Sequence, residues 1–460
     1  WLPSTCQGCT SWCSIQAYVV DGRAIKVRGN PNSKVNGSAS CVRSHLGLQQ
    51  VYDPDRVKTP MKRTNPKKGK GEDPKFVPIS WDEALDTVAD KIMELRDAKE
   101  TYKYMLMRGR YSYMRDIIYD RMTKIIGSPN NISHSALCAE AEKFGPYYTE
   151  GEWTYRQYDV LNANYILMWG ADPLSANRQI SYYTSVWGES IERATAVVVD
   201  PRYSATAAKS DHWLPIKPGE DGALAVAIAH VLLTEGLWYK PFVGDFKDGV
   251  NLFIPGERVF ESTFEEIHTH GVVRWWNLEL RDKTPEWAAE KTGLTPEQIR
   301  EVAIGYGQAA PHAISWVGGG PVMQRRGGYA SMACHALNGL VGSVDNVGGT
   351  LKANSEYTQS FPAPDDFIDE IAAEGKSHSK IDHRGRLEFP ALTEGKSGGG
   401  VVTNNAADGI LNEDPNEIKV AIAYMNNFNF SAPQTERWHR ALAKIPFLVH
   451  LTTNASELTW

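Results

Sequence analysis

The sequence predicts an α/β fold in which doubly wound parallel sheets follow a small N-terminal module. Two observations carry this prediction. Short apolar runs alternate with longer helical stretches over most of the 460 residues, which is typical of buried parallel strands covered by helices. Three of the six cysteines also fall within the first thirteen positions, which is typical of a metal site.

The N-terminal module, residues 1–60, contains two short apolar runs at 17–20 and 24–27. The pair Asp21-Gly22 lies between these runs and favours a tight turn. We therefore expect a β-hairpin beside the cysteines.

Three of these cysteines, Cys6, Cys9 and Cys13, follow the spacing C-x2-C-x3-C, and Cys41 follows at a distance. Three thiolates on a tight loop and one remote thiolate suit a cubane iron–sulfur cluster, whose iron corners point in four directions. Zinc is the alternative that spacing alone leaves open, although zinc sites usually carry two separated C-x2-C pairs. A disulfide framework is disfavoured because a chain of this size does not need one.

A charged segment, 62–75, follows the module and is predicted to be a solvated loop. The sequence SWDE at 80–83 is a capping box in front of apolar residues at helical spacing, so a helix of about four turns is expected to begin there.

The remaining chain alternates predicted strands and helices, and several strands end at turn-forming residues. Because ligands bind beyond the carboxyl ends of strands in open α/β sheets, these ends predict more than one sheet and a large cofactor, or two. The glycine-rich run 317–321 lacks the order of a phosphate loop and is predicted to approach a cofactor closely. The predicted strands are 165–169, 196–199, 313–317, 420–424 and 447–451, the helices are 223–235, 296–308 and 329–341, and the strand ends are Gly170, Asp200, Gly318 and Asn426.

The overall composition is that of an ordinary globular protein, with 42% hydrophobic and 23% charged residues. A formal net charge of −6 gives no general attraction to nucleic acid or to an anionic membrane surface. No stretch approaches the roughly eighteen consecutive apolar residues of a membrane span. We expect neither a nucleic-acid partner nor a direct membrane span.

The run CQGCTSWC at 6–13, Cys41, YDPDRVKTPMKR at 52–63 and ISWDEALDTVADKI at 79–92 together resemble the opening of the dimethyl sulfoxide reductase family of molybdopterin enzymes. The similarity continues through the chain. It implies a 4Fe-4S cluster on the four N-terminal cysteines and a basic residue, Arg43, between that cluster and a pterin. Many family members carry lysine at that position.

The resemblance also implies the domain organisation of the family. A 4Fe-4S cluster domain would span 1–60, and a discontinuous α/β domain would comprise 61–158 and 329–460. An inserted α/β domain, 159–328, would bind a molybdopterin dinucleotide. The family's C-terminal domain is expected to be missing from this chain.

Family members hold molybdenum with two molybdopterin guanine dinucleotides, and three segments of this chain resemble the portions that bind them: WGADP at 169–173, the run 197–221, and YMNNFNFSAP at 424–433. Backbone amides at strand ends suit diphosphates, and a carboxylate such as that of Asp221 can accept hydrogen bonds from guanine. The cofactor-binding residues that the resemblance implies are Arg43, Gly170, Asp172, Pro173, Asp200, Arg202, Asp221, Asn426 and Asn427.

Two further cysteines stand alone. Cys334 is interpreted as a small buried hydrophobic residue. Cys138 occupies the position at which the family supplies a protein ligand to molybdenum, and its soft thiolate suits such a metal.

The runs MRGRYS at 107–112 and CAEAEKFGPYY at 138–148 resemble the catalytic subunits of respiratory arsenate reductases, whereas related arsenite oxidases carry a tryptophan-containing stretch in place of the first run. The resemblance implies that Arg110, Tyr111, Lys143 and Tyr155 form the substrate pocket beside Cys138. Cations and phenolic hydroxyls suit the oxygens of arsenate. The expected reaction is oxygen-atom transfer from arsenate, with electrons supplied through the cluster.

An iron–sulfur electron-transfer subunit and a periplasmic location, with the export signal absent from this chain, are implied by the same resemblance. Two alternatives stay open. The first is a related molybdoenzyme that oxidises arsenite or reduces polysulfide, thiosulfate or tetrathionate. The second is a non-catalytic iron–sulfur relay subunit without molybdenum.

Overall fold

The computed structural model describes residues 1–109, 113–138, 140–352, 361–385 and 401–460. The chain divides into two compact units. Unit 1 comprises Trp1–Ser44 and Ala139–Glu356, and unit 2 comprises His45–Cys138 and Tyr357–Trp460. The three-domain division with edges at 60, 158 and 328 stays a prediction.

The strands of the described residues are mostly three to seven residues long. In chain order they are β1 (Leu2–Thr5), β2 (Ser14–Val20), β3 (Arg23–Gly29), β4 (Met61–Arg63), β5 (Phe76–Pro78), β6 (Tyr104–Arg108), β7 (Asn130–Ser133), β8 (Arg156–Tyr158), β9 (Tyr165–Trp169), β10 (Thr195–Val199), β11 (His212–Leu214), β12 (Gly244–Phe246), β13 (Phe264–Glu266), β14 (Ala313–Val317), β15 (Thr350–Lys352), β16 (Val420–Tyr424) and β17 (Phe447–Leu451).

The helices lie between these strands. In chain order they are α1 (Val42–Val51), α2 (Trp81–Asp97), α3 (Tyr113–Ile126), α4 (Glu140–Glu150), α5 (Ile180–Ile191), α6 (Asp221–Thr234), α7 (Lys240–Val243), α8 (Val272–Trp275), α9 (Pro285–Thr292), α10 (Pro296–Gln308), α11 (Gly319–Val322), α12 (Gly327–Leu340), α13 (Glu370–Lys376), α14 (Asn405–Asn412), α15 (Phe428–Ser431) and α16 (Thr435–Lys444).

The N-terminal module contains a small antiparallel sheet in the order β1-β2-β3. Cys6, Cys9 and Cys13 lie in the loop between β1 and β2, and Cys41 follows β3. Strands β2 and β3 form the predicted hairpin, and both turn residues, Asp21 and Gly22, have positive φ angles of 48° and 74°. Such angles match the twist of a tight hairpin turn. The predicted hairpin is therefore confirmed.

Unit 1 contains a parallel sheet in the order β11-β10-β9-β14. Along β9, Leu167 and Trp169 join one buried apolar cluster, whereas Ile166 and Met168 join another. A strand that is buried on both faces needs apolar residues at every position. This alternation makes the sheet the central layer of unit 1.

Unit 2 repeats the arrangement with a parallel sheet in the order β17-β16-β6-β7. Met105 and Met107 of β6 face one buried cluster, and Tyr104 and Leu106 face the other. The prediction of parallel α/β architecture with more than one sheet is confirmed.

Helix α2 begins where the capping box predicts. The Ser80 side chain accepts a hydrogen bond from the Glu83 backbone N–H at 3.0 Å, which satisfies one of the first amides of the helix. The preceding charged segment is less solvated than predicted, because the Lys68 ammonium donates to the carbonyls of Ile445 and Pro446 at 2.6 and 2.7 Å. Within the described residues, every helix is too short or too polar to cross a bilayer.

Candidate functional site

The four N-terminal cysteines are brought together in unit 1. Cys13 is buried, and burial raises the pKa of its thiol, with the charges of Cys9, Cys6 and Cys41 adding to the effect. The loop is closed by a hydrogen bond from the Cys6 N–H to the Cys13 carbonyl at 2.9 Å. The Ser11 N–H also points at the Cys9 sulfur, at 3.4 Å. The four thiols are unpaired and converge, as ligands of one cofactor must.

Cys41 precedes α1, so its sulfur faces the first amides of a helix. Burial alone would raise the pKa of the Cys41 thiol, but hydrogen bonds from Ser44 and from Arg43 bring it below its usual value. A lowered pKa favours the thiolate, which is the form that binds iron. Arg43 thus contacts a cluster cysteine directly, and its bridging role toward a pterin stays a prediction.

The four thiols suit an iron–sulfur cluster by their chemistry. A cubane takes one thiolate on each of its four irons, and Cys6, Cys9, Cys13 and Cys41 supply four free thiols. The cysteine set therefore fits a 4Fe-4S cluster.

The strand order in the sheet of unit 1 reverses at β9, because β10 and β11 are added on one side of β9 and β14 is added on the other. A Cβ atom on Gly170, which has φ +54°, would lie 2.8 Å from the Gly320 Cα. A Cβ on Gly318 would lie 2.6 Å from the Ala171 Cα. The two strand ends can approach this closely only because these residues are glycines. The run 317–321 therefore makes its close approach to the loop after β9, at the edge where open sheets bind ligands.

Polar side chains beside this edge form a connected set. The buried Asp172 carboxylate accepts hydrogen bonds from the Thr206 hydroxyl at 2.6 Å and from the Arg202 guanidinium at 3.1 Å. Asp200 accepts a hydrogen bond from the Arg202 backbone N–H at 2.8 Å. Pro173 is buried next to Asp172. Arg202 is well exposed and is oriented by both aspartates, as a phosphate-binding arginine would be.

Asp221 begins α6 and is buried near the same edge. Burial raises the pKa of its carboxyl to about 6, and the charge of Asp200 contributes. The hydrogen bond from the Gln324 amide is long, at 3.4 Å. A buried carboxylate needs strong donors, and a guanine edge offers two N–H groups of that kind. Asp221 thus fits the predicted guanine-binding role.

Unit 2 presents a comparable edge between β6 and β16. A Cβ on Gly109 would overlap the Met425 carbonyl oxygen, so only glycine permits this approach. Asn426 is buried, and its side-chain nitrogen has no hydrogen-bond partner. A buried amide without a partner is costly and marks a place where a ligand can bind. Asn427 instead donates to the Glu457 carboxylate at 2.7 Å, so its side chain is already engaged.

Cys138 ends the short 3-10 helix Ser135–Leu137 that follows β7 in unit 2. Its thiol is partly exposed, and its backbone N–H donates to the Ser135 carbonyl at 3.0 Å. A partly exposed cysteine beyond a strand end suits a metal ligand. Cys334, by contrast, is completely buried in α12, as predicted for a small hydrophobic residue.

Lys143 and Tyr155, which the sequence places in one pocket, do lie together in unit 1. The Lys143 ammonium is 4.8 Å from the centroid of the Tyr155 ring. The sequence did not single out Arg178, whose guanidinium carbon lies 3.9 Å from the same centroid. Glu142, next to Lys143 on α4, pairs with Arg178 at 3.3 Å. We call these four residues the Tyr155 site.

The other two predicted pocket residues, Arg110 and Tyr111, lie outside the described residues. They directly follow Gly109 in the chain. Their roles stay predictions.

Comparisons with known proteins agree with this geometry. Residues 56–456 match the molybdopterin oxidoreductase family, and residues 1–53 match the molybdopterin oxidoreductase Fe4S4 domain. A solved structure, acetylene hydratase from Pelobacter acetylenicus, has the same fold with a TM-score of 0.75 at 20% identity, covering 98% of this chain and 60% of that chain.

Three relatives illustrate the range of similarity. The arsenate respiratory reductase molybdopterin-containing subunits ArrA of Shewanella sp. (strain ANA-3) and Chrysiogenes arsenatis are 60% and 54% identical over 100% of this chain. The thiosulfate reductase molybdopterin-containing subunit PhsA of Salmonella typhimurium is 26% identical over 92% of this chain and 52% of its own length. The chain spans about half of the two ArrA relatives, 54% of each.

The two family matches also agree with the cofactors that the residues fit. The converging cysteines lie in the Fe4S4 match, and both glycine-lined sheet edges lie in the molybdopterin match. The cofactors are thus a 4Fe-4S cluster and molybdenum held by molybdopterin, for which the guanine dinucleotide form is typical. Since the matches cover nearly its whole length, this chain belongs to the molybdopterin oxidoreductase family.

Proposed function

We propose that this chain is part of the catalytic subunit of a respiratory arsenate reductase, which reduces arsenate to arsenite. The Tyr155 site carries the proposal, because it places the Lys143 ammonium 4.8 Å from the centroid of the Tyr155 ring. A cation and a phenol are the kinds of donor that an anionic, oxygen-rich substrate requires. The identity of 60% and 54% to two ArrA subunits over the whole chain supports arsenate as that substrate.

The proposed site residues have different roles. Lys143 provides positive charge for the oxyanion, and Tyr155 provides a hydroxyl donor, with Arg110 and Tyr111 assigned to the same pocket by resemblance. Fixed donors of this kind stabilise charge on the oxygens during transfer. When bound, the molybdenum–pterin centre supplies the two-electron reduction and accepts the oxygen atom. The overall reaction takes up two electrons and two protons and releases arsenite and water.

Other residues would hold the cofactors. Cys6, Cys9, Cys13 and Cys41 bind the cluster through which electrons enter, and Cys138 is the proposed protein ligand of molybdenum. Two guanine dinucleotides are assigned to the two sheet edges. The residues proposed to contact them are Arg43, Gly170, Asp172, Pro173, Asp200, Arg202, Asp221, Asn426 and Asn427.

We further propose that the subunit is exported to the periplasm and receives electrons from an iron–sulfur partner subunit. The low-potential electrons of a respiratory chain need a path to the N-terminal cluster, and the partial exposure of Cys6, Cys9 and Cys41 leaves the cluster loop accessible from outside. Fractionation of the native host and co-purification of an iron–sulfur protein test both statements.

The decisive experiment uses the full-length holoenzyme with a reduced viologen dye as donor. Arsenate should reoxidise the dye with formation of arsenite, whereas thiosulfate, tetrathionate and polysulfide should be poor oxidants. A preference for a sulfur oxyanion, or turnover only in the direction of arsenite oxidation, would replace the proposed substrate or direction. Elemental analysis tests the relay alternative, because a relay subunit would contain iron without molybdenum.

A further inference from the structure

Tyr155 lies under two cations that come from different parts of unit 1. Arg178 precedes α5 and lies 3.9 Å from the ring centroid, and Lys143 of α4 lies 4.8 Å from it. Cations at such distances are attracted by the negative face of an aromatic ring, and a stacked guanidinium restrains the ring more than an ammonium does. The ring of Tyr155 is therefore restrained by its own surroundings.

Arg178 is itself held by Glu142. The two guanidinium nitrogens lie 3.3 and 3.4 Å from the two carboxylate oxygens, in a forked arrangement. Burial raises the pKa of the Glu142 carboxyl, and the charge of Arg178 opposes that rise. The Ser331 hydroxyl donates to the Glu142 backbone carbonyl at 3.2 Å. A forked pair of this kind, with Arg178 partly exposed, fixes the plane of the guanidinium and hence the ring beneath it.

The backbone around Arg178 is anchored to the loop that carries the cluster cysteines. Gln179 has a left-handed φ of 57°, and its N–H donates to the Ser11 hydroxyl at 2.7 Å. The Cys13 sulfur lies 3.5 Å from the Ser181 hydroxyl. These contacts restrain the backbone on the C-terminal side of Arg178 and do not depend on substrate.

We propose that Arg178 is a positioning residue, which Glu142 holds in plane so that it orients the Tyr155 hydroxyl toward the bound oxyanion. This inference rests on the proposed oxyanion site and adds a residue that the pocket motifs do not contain. No bond is made or broken at Arg178. Its effect passes through the phenol, so its contribution should vanish when the hydroxyl is absent.

The test measures binding of inorganic phosphate, a tetrahedral oxyanion that is not reduced, to the oxidised full-length holoenzyme by equilibrium dialysis. Arg178→Met should weaken phosphate binding on the order of tenfold, whereas Arg178→Lys should recover part of the loss. The arsenate KM should rise by a similar factor with a smaller change in kcat. Arg300→Met, which removes an exposed arginine of α10, serves as the matched control.

A double-mutant cycle decides how Arg178 acts. In a Tyr155→Phe background, which keeps the ring and removes the hydroxyl, Arg178→Met should cause no further loss of phosphate affinity. An equal loss in that background would mean that Arg178 binds the oxyanion itself, and unchanged affinity in the single variant would mean a structural role only. Either result overturns the proposal.

Two precautions keep the test decisive. If Arg178→Met does not fold, Glu142→Gln replaces it. Glu142→Gln should weaken phosphate binding by a smaller factor, and only when the Tyr155 hydroxyl is present. If Arg178→Met weakens phosphate binding only when the Tyr155 hydroxyl is present, yet the wild-type holoenzyme does not reduce arsenate, the proposed function fails and the positioning role stands. If it reduces arsenate and Arg178→Met changes nothing, the positioning role fails alone.

Discussion

Charged and titratable side chains are buried between α4 and α12 in unit 1. Glu150 ends α4 and pairs with the buried Arg156 at 2.5 Å, and burial raises the pKa of Glu150 to about 7. His335 of α12 lies 3.8 Å from Glu150, and neither ring nitrogen has a hydrogen-bond partner. Burial lowers the pKa of His335 to about 3, so the ring is neutral at pH 7 and the contact with Glu150 is not an ion pair.

This buried histidine should make the fold sensitive to acid. Below a pH of about 6.5 His335 binds a proton in the unfolded chain but stays neutral in the folded chain. The free energy of unfolding therefore decreases as the pH falls from about 6.5 toward 3. We expect the free energy of unfolding of His335→Leu to increase relative to that of the wild type by about 1.4 kcal/mol for each pH unit below 6.5. Thermal unfolding of the full-length protein between pH 8 and pH 5 measures the difference.

The exposed His270 provides the control for that series, since His270→Leu should leave the pH dependence of the wild type unchanged. Parallel unfolding curves of His335→Leu and wild type at all pH values would contradict the expectation. The raised pKa of Glu150 acts in the opposite direction, because its stability contribution is lost as the pH rises through about 7. Glu150 is present in both proteins, so the comparison measures the change at His335 together with its contact to Glu150.

Lys143 is a pocket residue that the family resemblance implies, and it lies among the residues that the structure describes. Lys143→Met should lower kcat/KM for arsenate on the order of 10²-fold, the effect of removing one donor to an oxyanion, and should leave the iron and molybdenum contents intact. Steady-state kinetics and elemental analysis of the same preparation measure both. Lys240→Met, at an exposed lysine of α7, is the control, and equal kinetics for the two variants would remove Lys143 from the pocket.

At the scale of elements, both parallel sheets end in glycines that permit a close approach of two strand ends. In unit 1 these are Gly170 and Gly318, and in unit 2 the residue is Gly109. The strands themselves were predictable, because uninterrupted apolar runs such as β9, β14, β16 and β17 have the bounds that the sequence indicates. Helix α10 likewise agrees with the predicted span 296–308.

Gly109→Ala should reduce the molybdenum content of the holoenzyme. A Cβ at this position would overlap the Met425 carbonyl oxygen and lie 3.1 Å from the Asn426 Cα, so the ligand-binding edge of unit 2 must open. Molybdenum per chain, measured by mass spectrometry of the purified protein, should fall well below the wild-type value. Gly188→Ala, in an exposed part of α5 with no neighbour within 4 Å, should keep full occupancy. Full molybdenum content in Gly109→Ala would contradict the proposed cofactor edge.

At the scale of the whole molecule, the chain combines three ligand-bearing parts. The N-terminal sheet carries the cysteine loop, and each compact unit contains one parallel sheet with one glycine-lined edge. The proposed electron entry and the proposed substrate chemistry thus depend on different residues, and variants can separate them.

Cys9→Ser should remove the electron-entry function without removing the fold. Loss of one thiolate ligand should lower the iron content, abolish the electron paramagnetic resonance signal of the reduced cluster and bring dye-driven arsenate reduction to background. Cys334→Ala is the matched control, because this cysteine is buried in α12 and should keep both iron and turnover. Persistence of the cluster signal in Cys9→Ser would show that the ligand set is wrong.

The sequence by itself determined the local structure of this protein and the cysteine motif of its Fe4S4 domain. Strands, the capped start of α2 and the cysteine spacing depend on neighbouring residues, whose propensities and spacing are visible along the chain. The tertiary structure alone revealed Arg178 and its pairing with Glu142, since the two residues are far apart in sequence and Arg178 lies in none of the quoted motifs. It alone also showed that Asn426 is buried with an unpartnered nitrogen, because burial depends on packing between strands and helices that no local pattern records.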